Sequence, residues 1–127
     1  DSYIYIYEIG NEGCVKILPQ YNTTSACVND SIGVILVYSD LFLTDNGIGA
    51  MSSIEEFAAA YPDFRISYTG KTKLFVVETP RLKNVQFIID NEYYQGDDSV
   101  PASNESVGLQ VSDFRKETYF TAIRITN

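Results

Sequence analysis

Residues 52–62 read SSIEEFAAAYP, and they decide the fold class because they carry the clearest helix signal in the chain. Ser52 or Ser53 can cap the helix, and a glutamate three residues after each serine completes a capping box. The apolar residues recur at the spacing of one helical face and are Ile54, Phe57, Ala58 and Tyr61. Pro62 ends the pattern, so the sequence predicts one short helix over about 53–61.

Strand patterns lie on both sides of this helix. Apolar runs bounded by turn residues predict strands at about 3–9, 14–18, 32–43, 64–69, 72–78, 85–90, 107–111 and 119–126. The third run is apolar at both odd and even positions, which predicts a strand covered on both faces, with an interruption near Ser39-Asp40 as an alternative. One helix with these strands indicates an α+β domain, in which the helix packs on a mostly antiparallel sheet of about eight strands.

Size and charge limit the classes of partner. The 127 residues fit a single domain spanning 1–127. The formal net charge of −8 would repel nucleic acid and anionic lipid, and it would attract a basic partner. No stretch approaches the roughly 18 consecutive apolar residues that a membrane-spanning helix needs. We therefore expect a basic protein partner, no nucleic-acid ligand and no transmembrane segment.

The absence of histidine excludes most catalytic mechanisms. Ser-His and Cys-His nucleophilic systems need an imidazole base, and the common catalytic zinc and iron sites need imidazole ligands. Carboxylates are the catalytic groups that remain, but no spacing marks the facing pair that a glycosidase uses. We therefore predict a non-enzymatic protein without a cofactor.

The two cysteines bear on the cellular compartment. Cys14 and Cys27 enclose a polar loop, which predicts a disulfide and therefore an exported protein, and the alternative is two unrelated thiols. The chain begins with Asp1 and not with methionine, and a cleaved signal or lipoprotein leader, or a lipid anchor, would lie outside these residues. These features predict a periplasmic, outer-membrane-anchored or secreted protein.

A tyrosine stripe near the start of the chain is the first candidate binding surface. Tyr3, Tyr5 and Tyr7 alternate with Ile4 and Ile6. If the isoleucines face the core, the tyrosines lie on the opposite face, where large and stiff aromatic rings suit recognition. Alternatively, a second layer covers the tyrosines, or they only stabilise the sheet through cross-strand pairs.

A second candidate surface lies in residues 91–106, which have no periodicity and are expected to form a long structureless loop. Tyr93 and Tyr94 stand there beside Asp97 and Asp98, a combination that suits a basic protein partner. Oxygen-rich loops also bind calcium, although the EF-hand spacing is missing. The calcium candidates are Asp90, Glu92, Asp97 and Asp98.

A segment in the middle of the chain resembles a unit of bacterial envelope proteins. Residues 49–57 read GAMSSIEEF, a Tyr-Pro pair follows at 61–62, and three antiparallel strands are predicted after it. This arrangement resembles uncharacterised secreted or lipoprotein domains. It is more distantly similar to small outer-membrane assembly lipoproteins and to β-lactamase inhibitor proteins. The resemblance covers about a third of the chain and implies export and protein binding, without catalysis.

Three functional hypotheses follow from these patterns. The first is an exported bacterial domain that binds a macromolecule through the tyrosine stripe or the 91–106 loop, such as an inhibitor or immunity protein for a basic toxin or enzyme. The second is a structural or accessory envelope lipoprotein domain. The third is a carboxylate-dependent hydrolase of saccharide or peptidoglycan, which would need a concave pocket with two facing carboxylates.

Overall fold

The computed structural model describes residues 5–9, 12–22 and 27–126. The strands are β1 (Tyr5–Ile9), β2 (Glu12–Asn22), β3 (Cys27–Val37), β4 (Arg65–Thr69), β5 (Leu74–Glu78), β6 (Val85–Ile89), β7 (Val107–Leu109) and β8 (Phe120–Thr126). The helices are α1 (Ile54–Ala60) and α2 (Ser99–Ala102), with 3₁₀ turns at Asn91–Tyr93 and Val111–Asp113. The strands form one sheet in the order β1-β2-β3-β8-β6-β5-β4-β7, and every described pair is antiparallel. The predicted α+β architecture, an antiparallel sheet with a short helix, is confirmed.

Helix α1 forms where the capping signal predicted it. Ser53 Oγ accepts a hydrogen bond from Glu56 N (3.1 Å), and Glu56 Oε1 accepts one from Ser53 N (3.0 Å). Isolated helices this short are marginal in water, so packing of the buried Ile54 and Phe57 must hold α1 in place. Among the helices of the described residues, none is long and apolar enough to cross a membrane.

Aromatic side chains fill the space between α1 and the sheet. The Phe57 ring centroid lies 4.9 Å from that of Phe87 on β6 and 5.7 Å from that of Phe120 on β8. Further along the sheet, Phe75 on β5 contacts Tyr68 and Phe114, with centroid distances of 4.9 and 5.7 Å. The core therefore lies on one face of the sheet, under α1 and under the segment that follows β6.

Strand register shows which residues share that face. One row crosses the whole sheet from β1 to β7 and contains Tyr7, Val15, Val37, Ile123, Phe87, Val77, Ile66 and Leu109. Most of this row belongs to the buried core cluster or packs against it. The next row along β1, β2, β3, β8 and β6 contains Ile6, Lys16, Leu36, Arg124 and Gln86. Since neighbouring positions in a strand point to opposite faces, this second row belongs to the face away from the core.

The predicted disulfide does not fit the register of β2 with β3. Cys27 lies opposite Asn22, whereas Cys14 directly precedes Val15 at the other end of β2. At the rise of a β-strand the two Cα positions are roughly 25 Å apart. A disulfide requires Cα atoms within about 4.4–6.8 Å of each other. The short separation in sequence suggested that the two cysteines meet. The segment between them is mostly strand, however, and the pairing of β2 with β3 keeps Cys14 and Cys27 apart.

Candidate functional site

Two residues of the predicted tyrosine stripe, Tyr5 and Tyr7, lie on β1, which pairs with β2. Tyr5 lies opposite Ile17, and Tyr7 lies opposite Val15, in rows that continue into the core. Ile6 lies opposite Lys16, in the row away from the core. Tyr3 lies outside the described residues. These pairings give the backbone positions of Tyr5 and Tyr7 in the sheet, and the recognition role of the tyrosine stripe stays a prediction.

The second tyrosine cluster is largely part of the core. Tyr94 is half-buried and stacks on Phe75, with ring centroids 4.6 Å apart. Its hydroxyl donates a hydrogen bond to the backbone oxygen of Asp97 (2.8 Å). Tyr93 is also half-buried, and its ring lies 5.4 Å from the guanidinium carbon of Arg115. The structure therefore does not present Tyr93, Tyr94, Asp97 and Asp98 as one open patch, because the tyrosine rings pack inward.

The acidic residues of this segment shape its turns. Asp97 Oδ1 accepts a hydrogen bond from Ser99 N (2.8 Å), and this bond holds the pKa of Asp97 below its usual value. Asp90 Oδ1 accepts one from Glu92 N (3.1 Å) and caps the 3₁₀ turn there. Within residues 5–9, 12–22 and 27–126, no three or more His, Cys, Asp or Glu residues are grouped so that they could hold a metal ion. Two of the four calcium candidates, Asp90 and Asp97, thus accept hydrogen bonds from nearby backbone N–H groups.

Residues 91–106 are docked on the sheet, so the expectation of a structureless loop is wrong. The segment contains a 3₁₀ turn and α2. Lys73 Nζ donates to the backbone oxygen of Ser103 (2.7 Å) and to Asn104 Oδ1 (2.6 Å). Tyr68 Oη donates to the backbone oxygen of Pro101 (3.2 Å). These contacts join residues about 30 positions apart, and the sequence contains no local signal for them.

The inward packing of Tyr94 gives a pH prediction. Burial raises the pKa of Tyr94 above its usual 10.0, and nearby carboxylates add to this effect: Asp113, Asp97 and Asp98. The folded state therefore holds the phenolic proton more tightly than the unfolded chain does. The resulting stability is present below pH 10 and is lost as the pH rises through the folded-state pKa. Over this pH range the free energy of unfolding of Tyr94→Phe, measured with denaturant, should fall less than that of wild type. Equal losses would contradict the raised pKa of Tyr94.

The exposed apolar side chains gather in a loop that the sequence analysis did not single out. Strand β3 ends at Val37, and the following residues leave the sheet, which corrects the predicted strand over 32–43. We call Tyr38, Leu41, Phe42 and Leu43 the apolar loop. Leu41 is 60% exposed, Leu43 is 59% exposed, and Tyr38 and Phe42 are about 40% exposed. Three consecutive apolar residues in water are unusual for a soluble domain unless they serve an interaction.

The apolar loop is held at both ends. Before it, the buried Ser39 accepts a hydrogen bond from Leu41 N through its Oγ (3.1 Å). After it, Thr44 N donates to the backbone oxygen of Ile48 (2.8 Å). Thr44 Oγ1 also accepts a bond from the hydroxyl of Tyr61, which follows α1 (2.7 Å). These bonds order the loop before any partner arrives, and a preordered surface loses less entropy on binding.

Met51 adds a further exposed side chain near the loop. Leu43 pairs with Gly49 through an isolated antiparallel bridge, which brings the loop within two residues of Met51. Met51 is 58% exposed and has a positive φ of 74°, a conformation that is costly for a residue with a side chain. Its backbone N–H donates to the backbone oxygen of Phe120 (2.8 Å), which holds it there. A flexible apolar side chain in this position is well suited to pack against a partner.

A groove of about 650 Å³ lies beside β4 and the edge strand β7. It is lined by Phe64, Arg65, Ile66, Ser67, Glu78, Gly108, Leu109, Gln110 and Val111. Arg65 and Glu78 are directly opposite each other on β4 and β5, so their side chains leave the sheet on the same face. Gly108 forms part of the same lining, and a Cβ built there meets nothing within 4 Å. The groove thus combines two opposite charges with apolar walls.

Glu78 is the one carboxylate among the groove-lining residues. The predicted hydrolase would need two carboxylates facing each other across a cleft. Two other carboxylates have structural positions, since Glu56 caps α1 and Asp90 caps a 3₁₀ turn. The groove therefore lacks the paired acid and base of a glycosidase, although it has the size of a ligand site.

Sequence reasoning missed both of these surfaces for identifiable reasons. The Ser39-Asp40 pair, weak in strand propensity, was the one local sign of an interruption in the predicted strand over 32–43. Nothing local pairs Arg65 with Glu78, which are 13 positions apart and meet only through strand register.

Comparison with known proteins finds no family, characterised protein or solved structure that matches this chain.

Proposed function

We propose that this chain is a non-enzymatic, exported bacterial domain that binds a basic protein through its apolar loop, as an inhibitor or immunity-type protein does. The observation that carries the proposal is the exposure of Leu41, Phe42 and Leu43 on a loop that hydrogen bonds already order. Export and an envelope or secreted location rest on the resemblance of residues 49–62 and the strands after them to envelope proteins.

Burial of the apolar loop would provide the main attraction. Complete burial of a leucine or phenylalanine side chain contributes about 1.5–3 kcal/mol. Interfaces are usually dominated by a few such side chains near their centre, surrounded by a polar rim. Leu41 and Leu43 are the most exposed of the large apolar residues, so they are the side chains with most surface left to bury. They are the expected centre of the interface.

Charge at the edge of the loop favours a basic partner. Asp40 directly precedes Leu41, Asp45 follows Thr44, and both aspartates are exposed. The whole chain has a net charge of −8. Carboxylates at the rim of an apolar interface accelerate association with a basic surface and disfavour acidic partners. Exposed charges are screened by salt, so the association should slow and weaken as ionic strength rises.

The test compares two baits. The wild-type chain and a Leu41→Ser/Leu43→Ser variant are used to capture proteins from the envelope and secreted fractions of the native host. A basic protein that the wild type retains is then purified, and its Kd is measured for each chain at low and high salt. We expect the variant to bind at least about tenfold more weakly, because each 1.4 kcal/mol corresponds to a factor of ten.

The matched control is Val111→Ser, which removes an exposed apolar side chain away from the loop. It should bind the purified partner as wild type does. Both variants should unfold within about 0.5 kcal/mol of wild type, because the residues are exposed. Equal binding by the loop variant and wild type would contradict the proposal, and so would the retention of no basic protein by wild type.

A further inference from the structure

We propose that the groove between β4, β5 and β7 binds a zwitterion of the α-amino acid class with an apolar side chain. Arg65 would hold its carboxylate, and Glu78 would hold its ammonium group. The site is at a different part of the fold from the apolar loop, so it goes beyond the protein-binding function and does not depend on it.

The first observation is that Arg65 and Glu78 do not pair with each other. Oppositely charged residues directly across antiparallel strands are well placed for an ion pair. Nevertheless, the one ion pair recorded for the described part of the chain joins Arg81 and Asp63 (3.3 Å). The guanidinium of Arg65 and the carboxylate of Glu78 are therefore held apart within the same groove.

A chain of hydrogen bonds explains this separation. Arg124 Nη1 donates to Gln86 Oε1 (2.9 Å), and Gln86 Nε2 donates to Glu78 Oε2 (3.3 Å). These bonds run across β8, β6 and β5 on the face away from the core, and they draw Glu78 away from β4. A carboxylate has about four acceptor positions, so Glu78 keeps capacity for a ligand. Arg65 is exposed on the other side of the gap.

The two charges select the class of ligand. A guanidinium matches a carboxylate through two parallel hydrogen bonds, and a glutamate accepts bonds from an ammonium group. A simple anion would be repelled by Glu78 and by the net charge of −8, while a simple cation would be repelled by Arg65. A molecule with both charges satisfies both residues. An exposed Arg65–Glu78 contact formed without ligand would be screened by water and would oppose binding only weakly.

The walls of the groove account for the apolar side chain. Phe64, Leu109 and Val111 line the groove beside the charged pair. Its volume of about 650 Å³ lies within the range of roughly 300–1,000 Å³ that is usual for small-molecule sites. Gly108 leaves open space where any other residue would place a side chain. The ligand would lie over Gly108, with its side chain toward Val111, which is 39% exposed.

The test is an amide NMR titration of the whole chain with L-leucine and L-phenylalanine. We expect saturable shifts of the amides at 64–67, 78 and 108–111. N-acetyl-L-leucine lacks the ammonium group and leucine amide lacks the carboxylate, so each should bind at least about tenfold more weakly than L-leucine. Glycine should also bind more weakly than L-leucine, because it has no side chain. Equal binding of these derivatives, or no shift with either amino acid, would overturn the proposal.

Variants locate the ligand in the groove. Arg65→Gln and Glu78→Gln should each weaken L-leucine binding at least about tenfold. Gly108→Val should weaken it by filling the groove, and the open space at that Cβ indicates that the fold will accept it. Lys83→Gln makes the same charge change as Arg65→Gln at an exposed site outside the groove and should bind normally.

Two further outcomes separate this proposal from the protein-binding function. The Leu41→Ser/Leu43→Ser variant should bind L-leucine as wild type does, while Glu78→Gln should retain the protein partner. Amide spectra and unfolding midpoints of each variant establish that it is folded. If folded Arg65→Gln and Glu78→Gln bind L-leucine as well as wild type does, the groove is not the site and the inference is wrong.

Discussion

Phe57→Ala is expected to lower the free energy of unfolding by about 3–5 kcal/mol. Phe57 is completely buried, and it is the residue through which α1 contacts both central strands of the core. Truncation removes the edge-on aromatic contacts with Phe87 and Phe120 and leaves a cavity that the short helix can only partly close. Domains of this size have about 5–15 kcal/mol of stability in total, so the loss is a large fraction of it.

Denaturant unfolding followed by circular dichroism measures this effect directly. Phe42→Ala is the matched control, since it removes the same side chain from the apolar loop, where the ring is 41% exposed. It should change stability by only about 0.5 kcal/mol. If the two variants were destabilised equally, α1 would not be packed on β6 and β8 as described. Phe42→Ala should instead weaken partner binding, so the two phenylalanines separate stability from recognition.

Gly70→Ala is expected to destabilise the protein by about 1–3 kcal/mol through overpacking. Gly70 follows β4, and its N–H donates to Ser106 Oγ (3.2 Å). A Cβ at this position would lie 2.2 Å from the backbone oxygen of Asn104 and 2.6 Å from the backbone carbon of Glu105. Both contacts are with main chain, which cannot rotate away as a side chain can. The substitution should therefore lift residues 103–106 off the β4–β5 turn.

Gly108→Ala provides the control on the adjacent strand. A Cβ there meets nothing within 4 Å, so its free energy of unfolding should stay within about 0.5 kcal/mol of wild type. Amide hydrogen exchange would add a local measurement, with faster exchange around 103–106 in Gly70→Ala alone. Wild-type stability and exchange in Gly70→Ala would show that the 91–106 segment does not dock on the turn at Gly70.

Local sequence signals were sufficient for α1 and for the short strands of the second half. The Ser53–Glu56 capping box and the Ile54–Phe57 spacing predicted α1 correctly, because a helix start depends on residues within one turn of each other. The short strands of the second half were also found, since alternation and turn residues act over a few positions. The boundary of β3 was wrong, because apolar residues on both parities look the same in a buried strand and in an exposed loop.

Strand pairing decided nearly everything about the surface. The alternation of apolar residues in β8 does not say which strands flank it, and only the register places Ile123 between Val37 on β3 and Phe87 on β6. The same kind of register keeps Cys14 far from Cys27 and brings Arg65 opposite Glu78. These relations join residues that are distant in sequence, and each depends on the alignment of a whole strand. Composition and local pattern determined which elements form, whereas long-range pairing determined which side chains reach solvent together.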